Sequence, residues 1–463
     1  GYPLLDIELL LQSVHDQTTT AAQLESLLED IPMRWTWATN MTRGEEVLVP
    51  FSWFFAINEF NGPSAGNTYE EAALQGVCEV VERHVCSRIN RERIMTPAID
   101  TDSVQDAVAR ELLAKFARNG IELYLNDFSL DTGICTVGAL AIDRSTFPEK
   151  SEIVYTAGTT PNPEKSLIRA VTEIAQLAGD FNSGSNYVAS GLPKPLDMAE
   201  VAYLTETTEK VEIKEMADLA DDNIRVEVER CIAALKRIGL EVFMIDVRHD
   251  QLDIPALYTI VPGAHFRERS MIKDAGLFSA KLVEELISDP HRKEMKFRQM
   301  EDQLPGAYYL SFYRGKNAVE AGNCEAAVGY FDRALALKPE AEDLPYILSY
   351  KGSCLKELGR YDEAIGVLRQ GLAEDEERPD IHNLIGVCMF KQGRYAEAID
   401  HFKRAVALNP ASGIDYANIG VNYNRLGERD KAIHFFTIAL TIDPSLDFAQ
   451  EQLAGLLASE PQK

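Results

Sequence analysis

From residue 308 onward the chain repeats itself, and that repeat restricts the fold more than composition can. Gly315, Gly352, Gly386 and Gly420 recur, and seven residues after each come Gly322, Gly359, Gly393 and Gly427. Five residues further on stand Ala327, Ala364, Ala398 and Ala432, and Pro339, Pro410 and Pro444 close three of the four units. A period of about 34 residues, with small residues where two helices cross and Pro at the boundary, describes stacked helix pairs. One such pair cannot bury its own apolar face, so the units must share a continuous core that a terminal helix closes. The spacing places units near 308–341, 345–378, 379–412 and 413–446, with Leu446–Leu457 as the capping helix. The second unit departs from the pattern: Glu376 stands at the Pro position and Gly371 replaces the small Ala found at Ala334, Ala405 and Ala439.

This is the tetratricopeptide pattern, and an array of four leaves a concave groove suited to a protein or peptide partner. A rigid spacer, or a surface that makes a homodimer, is the alternative use of such an array. Cys354 and Cys388 occupy equivalent repeat positions and read as small core residues.

The preceding residues, Gly1 to about Asp289, mix periods. Strand-like apolar runs lie at Ile121–Leu125, Thr136–Ile142, Ile153–Ala157, Val242–Ile245 and Leu257–Val261. Helical patterns lie between them at Thr68–Asn90, Ser103–Asn119, Pro163–Asp180 and Asn223–Ile238. The expected class is therefore α+β: a layered α/β domain over 1–289, a linker over 290–307 and the all-α array over 308–463. The acidic stretch Leu192–Leu219 reads as a surface excursion. A net charge of −27 opposes nonspecific binding to nucleic acid or an anionic membrane. No apolar run reaches the roughly 20 residues a bilayer span needs. Seven cysteines without a CxxC pair point to reduced thiols and a cytoplasmic setting. The chain starts at Gly1, so a fragment with further sequence upstream is expected.

Two helices carry the candidate chemistry. On the first, Glu71, Gln75, Glu79 and Glu82 share one face while Ala72, Ala73, Leu74, Val77, Val80 and Val81 surround them. A helix so apolar is expected to be buried, its acidic stripe pointing into a cavity. Thr68 and Glu71 fit a capping box, a structural role for Glu71. Glu79 and Glu82, three apart, can approach one divalent cation, with Arg83 beside them for a phosphate; a structural ion-pair network is the competing reading. On the second helix Arg169, Glu173 and Gln176 share a face, again with apolar residues around the rest. A polyanionic ligand with its metal, held between the two polar faces, accounts for both. No GxxxxGK[ST], GxSxG, HExxH or paired CxxC is present, and the eight histidines show no metal spacing.

The string Asn61-Gly62-Pro63-Ser64-Ala65-Gly66-Asn67-Thr68, with Gln75-Gly76 and Glu79-Val80-Val81-Glu82-Arg83, resembles the YcaO family. So do Ala157-Gly158 with Pro161, Arg169-Ala170-Val171-Thr172-Glu173 with Gln176, and Asp253-Ile254-Pro255 with Val261-Pro262-Gly263. The resemblance covers about Val47 to His265 and is closer to the branch associated with methylthiolation of ribosomal protein S12 than to the azoline-forming branch. It implies a YcaO-type domain that binds ATP with magnesium. Carried over by motif, the nucleotide contacts would be Asn67, Glu71, Glu79, Glu82, Arg83 and Arg169, and the metal ligands Glu79, Glu82 and Glu173. No catalytic residue is assigned. The implied activity is phosphorylation of an amide oxygen followed by attack of a nucleophile, or an accessory role in S12 methylthiolation. A noncatalytic nucleotide-binding scaffold, or an azoline- or thioamide-forming enzyme for peptide natural products, remains open. Family members carry a further ExxER-type helix nearer the N-terminus, and no second such motif lies between Gly1 and Pro50.

Overall fold

The computed structural model describes residues 2–58, 60–147, 151, 153–177, 195, 197–266 and 274–458. Its contacts divide the chain into two compact units, Gly1–Leu282 and Val283–Lys463.

The first unit holds two five-stranded sheets. The strands are β1 Trp35–Asn40, β2 Glu45–Pro50, β3 Pro63–Ala65, β4 Ala98–Asp100, β5 Glu122–Asp127, β6 Thr136–Ile142, β7 Val154–Thr159, β8 Lys210–Glu212, β9 Phe243–Asp246 and β10 Ala256–Ile260. One sheet runs β2-β1-β9-β10-β3 and the other β7-β6-β5-β4-β8. All neighbours are antiparallel except β4 and β8. Every residue of β6 is buried, which is why it reads as an unbroken apolar run rather than an alternation.

The helix expected over Thr68–Asn90 spans Tyr69–Glu92. It packs on β3 and β10 of the first sheet and on β6 and β7 of the second, so one element serves both. That double duty explains its composition. Ala72, Ala73, Val77 and Val80 enter one core with Val242, Met244 and Leu257, while Val85 and Ile89 enter another with Leu140 and Ile142. Gly76 permits the close crossing: a Cβ there would stand 2.2 Å from Thr259 Oγ1. The second acidic helix spans Pro163–Leu177 and lies on β6 and β7; 178–180, also expected in it, fall outside the described residues. It is amphipathic rather than apolar all round. Leu167, Ala170, Val171 and Ile174 are buried, but Ala175 and Leu177 are exposed because the sheet covers only one side.

The expected surface excursion at Leu192–Leu219 is corrected where it is described. Lys210–Glu212 completes the second sheet beside β4, and Val201, Leu204, Ile213 and Met216 are buried in its cores. Short apolar singles among acidic residues hid a three-residue edge strand.

The second unit contains four helix pairs: Tyr308–Glu320 with Cys324–Ala336, Leu344–Glu357 with Tyr361–Glu374, Pro379–Lys391 with Tyr395–Leu408, and Gly413–Arg425 with Arg429–Ile442. Asp447–Ala458 follows them. Ala327, Ala364, Ala398 and Ala432 are fully buried, as a close helix crossing demands. The 290–307 stretch is not a linker. Pro290–Gln303 is a helix capped by Asp289, with Phe297 and Met300 buried and Phe297 stacked on Tyr313 at 5.9 Å. Its polar sequence disguised it. The charges are paired instead of solvated: Arg314 meets Glu294 and Glu301, and Lys293 meets Glu284 and Glu320. The unit boundary accordingly falls inside the Ala275–Leu286 helix, earlier than residue 289. Among the described residues no helix is long and apolar enough to cross a membrane, and all seven cysteines are free.

Candidate functional site

Where the two acidic helices face each other, a cavity of about 440 Å³ opens. The Tyr69–Glu92 helix lines it with Gln75, Glu79, Glu82 and Arg83. The Pro163–Leu177 helix contributes Arg169, Glu173 and Gln176, and β3 the edge Pro63–Ala65. The close approach of the second helix to its sheet rests on Gly158 at the end of β7, whose missing Cβ would lie 2.4 Å from Ala170 N.

Within the cavity, acids and guanidiniums hold one another. Glu82 Oε2 accepts from the Thr159 backbone N–H at 3.0 Å and lies 3.9 Å from Arg169 Nε. Arg169 Nη1 donates to Gln75 Oε1 at 3.0 Å, tying the second helix to the first. Glu79 Oε2 accepts from the Gly62 N–H at 3.3 Å. Burial pushes the Glu82 carboxyl up to about 7 against the pull of Arg83, Arg169 and the Thr159 amide, and Glu173 adds to the rise. The pocket cations do not fully compensate this acid, so a further cation would find its charge unspent. Arg83 Nε is buried without a hydrogen-bond partner, a donor available on a residue that lines the cavity.

Of the sequence-predicted site residues, Glu79, Glu82, Arg83, Arg169 and Glu173 line this cavity; Asn67 and Glu71 do not. Glu71 Oε2 accepts from the Asn67 N–H at 2.8 Å and from Asn67 Nδ2 at 2.9 Å, while Thr68 Oγ1 accepts from Glu71 N–H. The expected capping box is thus half formed, Glu71 turning one residue further back. In this geometry Asn67 and Glu71 serve the helix start. Glu79, Glu82 and Glu173, the expected metal ligands, share the cavity, and among the described residues no three His, Cys, Asp or Glu side chains already converge as a metal site. Backbone amides and an arginine already orient Glu79 and Glu82. That arrangement still fits Mg²⁺ carried by a nucleotide. Mg²⁺ takes one or two carboxylates and fills its remaining positions with phosphate oxygens and water. Glu79 and Glu82 would hold the metal and Arg83 and Arg169 the phosphates.

Spacing could not reveal the amides of Gly62 and Thr159 or the β3 edge. The loops before each helix, glycine-bearing or Thr-Thr-Pro, were the only hint. Three histidines scattered in sequence also meet. The rings of His15 and His265 lie 4.0 Å apart, those of His84 and His265 5.2 Å apart, and His84 Nδ1 accepts from the His265 N–H. Burial holds His84 down at about 4, with Arg88 adding to the effect. The folded protein then takes up a proton later than the unfolded chain, so stability falls as pH drops from about 6.5 towards 4. Urea titrations across that range should show the loss. His84→Asn, which keeps an acceptor for the His265 amide, should reduce it and leave the share of His265, held down at about 3 by burial; an unchanged pH slope would remove His84 as a cause.

Residues 1–265 match the family model described as YcaO cyclodehydratase, binding ATP and Mg²⁺. Residues 352–413 and 416–446 match tetratricopeptide-repeat models. The chain is 30% identical over 251 residues to an uncharacterised protein of Methanothermobacter thermautotrophicus, covering 50% of this chain and 65% of that one. It is 28% identical over 242 residues to the ribosomal protein S12 methylthiotransferase accessory factor YcaO of Escherichia coli K12, covering 49% of this chain and 39% of that one. The solved structure of YcaO from Methanopyrus kandleri with AMPPCP and Mg²⁺ is similar at 27% identity and a TM-score of 0.41, covering 50% of this chain and 64% of that one. The chain therefore spans less than two thirds of each of these relatives.

Proposed function

The chain belongs to the YcaO family, and from that premise we propose that its first unit uses ATP with Mg²⁺ to activate an amide of a protein or peptide brought to it by the repeats. The observation that carries the reading is the convergence of Glu79, Glu82, Arg83, Arg169 and Glu173 on one cavity from two separate helices. Bound nucleotide supplies the γ-phosphoryl group that the amide oxygen takes up as ADP leaves. The activated carbon then accepts a nucleophile and releases phosphate. The chain's own residues have simpler tasks. Arg83 and Arg169 would neutralise phosphate charge where it builds up, and Glu79 and Glu82 would hold the cation that accompanies the nucleotide. Gln75 accepts from Arg169 Nη1 while Arg169 Nε lies 3.9 Å from Glu82, so both helices orient that guanidinium. The strongly acidic chain otherwise repels polyanions, so local guanidiniums must supply the attraction.

Similarity to an accessory factor for S12 methylthiolation makes a ribosomal protein a candidate client, and the repeat array is the surface on which such a client would dock. Calorimetric titration with ATP and Mg²⁺ tests the site. Glu79→Ala and Arg169→Ala should each weaken binding at least about tenfold, with Glu79→Ala losing the dependence on Mg²⁺ and Arg169→Ala weakening ATP even without it. Affinity unchanged in both variants would remove the assignment.

A further inference from the structure

The third repeat departs from the others at one contact between its helices. The equivalent positions hold Ser311 and Tyr330 in the first repeat, Leu348 and Val367 in the second, and Tyr416 and Phe435, stacked at 6.4 Å, in the fourth. In the third they hold His382, on the Pro379–Lys391 helix, and His401, on the Tyr395–Leu408 helix. Their Nδ1 atoms lie 3.1 Å apart, with ring centroids at 5.3 Å and planes inclined by 40°.

We propose that His382 and His401 form a two-imidazole site for a borderline divalent transition metal such as Zn²⁺ or Ni²⁺. Two ring nitrogens each about 2.0–2.1 Å from one ion subtend about 100° when they are 3.1 Å apart, an angle that tetrahedral ions accept. The His382 ring is also hydrogen-bonded to the Glu376 backbone, the outer contact that fixes the tautomer of a ligating imidazole. Around the pair Asp400 and Glu397 offset Arg369 and Arg404, leaving no dominant positive field to repel a cation. Among the described residues no third His, Cys, Asp or Glu joins them, so the open positions fall to water or to a side chain of a docked partner. The site stands on the second unit alone and is independent of the nucleotide reading.

Titrating the full chain with ZnCl₂ or NiCl₂ in chelator-free buffer tests it, alongside His382→Tyr and His401→Phe, which install the side chains of the fourth repeat. Wild type should bind one equivalent that each variant weakens at least about tenfold, with helical circular dichroism unchanged. Histidine-selective ¹⁵N spectra of the wild type guard against a variant that fails to fold: two ring nitrogens should shift together on adding Zn²⁺. No heat, binding untouched by both variants, or ring signals that stay in place would overturn the site and leave the contact as an N–H···N hydrogen bond.

Discussion

Glu82→Gln is expected to make the nucleotide-free protein more stable at pH 8 while weakening MgATP binding at least about tenfold. The stability half follows from linkage. The carboxyl of Glu82 is raised from 4.5 to about 7 by burial, so its contribution is fully present below pH 4.5 and is lost as pH rises through 7. At pH 8 the ionised side chain therefore costs on the order of 2–4 kcal/mol, which a neutral amide of the same shape avoids. Little is lost in exchange. A Gln oxygen still accepts from Thr159, and the pull of Arg83 and Arg169 on the carboxylate is already contained in the net rise to about 7. The binding half follows from the same burial, because an amide brings no charge to a metal-bound phosphate. All three tryptophans, Trp35, Trp37 and Trp53, lie in the first unit, so their fluorescence reads this unit's unfolding alone. A variant less stable than wild type at pH 8, or one that binds MgATP normally, would contradict a site held under electrostatic tension for its ligand. At pH 4 the two proteins should unfold at the same urea concentration.

The repeats themselves were legible in the sequence, since each helix pair must repeat its neighbour's contacts and any slip would expose the shared core. The Tyr69–Glu92 helix was legible because apolar residues cover most of its circumference and single out the polar stripe, whereas the Pro163–Leu177 helix proved amphipathic, with Ala175 and Leu177 exposed. Depth along the first helix was not legible. Glu71 shares a face with Glu79 and Glu82 yet sits two turns nearer the start, where the Asn67 amide claims it. Short strands such as β3 and β8 leave no period to detect and take shape only from their neighbours' hydrogen bonds. Pro290–Gln303 was hidden for the opposite reason: its buried lysines and arginine partners mimic a solvated linker, and only the geometry shows them paired. The histidine contacts at His84–His265 and His382–His401 join residues with no sequence relation, or one visible only when repeats are superposed.

Gly158→Ala is expected to destabilise the first unit by about 3 kcal/mol and to weaken the nucleotide site with it. A methyl at this position would stand 2.4 Å from Ala170 N and 2.5 Å from Ser166 O, both backbone atoms of the Pro163–Leu177 helix. A strand alanine would otherwise be preferred over glycine by about 0.5–1 kcal/mol, so intrinsic preference opposes the clash and loses to it. No side chain can turn aside here. The helix must retreat, taking Arg169 and Glu173 from the cavity and Leu167, Ala170, Val171 and Ile174 from their packing on the sheet. Gly76→Ala offers the contrast, because its nearest atoms are the hydroxyls of Thr259 and Ser64, and trimming Thr259 to Ala should recover part of the loss. No equivalent trimming should rescue Gly158→Ala, since Arg169 Cβ at 2.8 Å is only its third-nearest atom. Tryptophan-detected urea unfolding gives the stability change, and MgATP titration of the same samples gives the binding change. If Gly158→Ala unfolded like wild type, or kept full affinity, the close seating of this helix on β7 would not be what holds the cavity in shape.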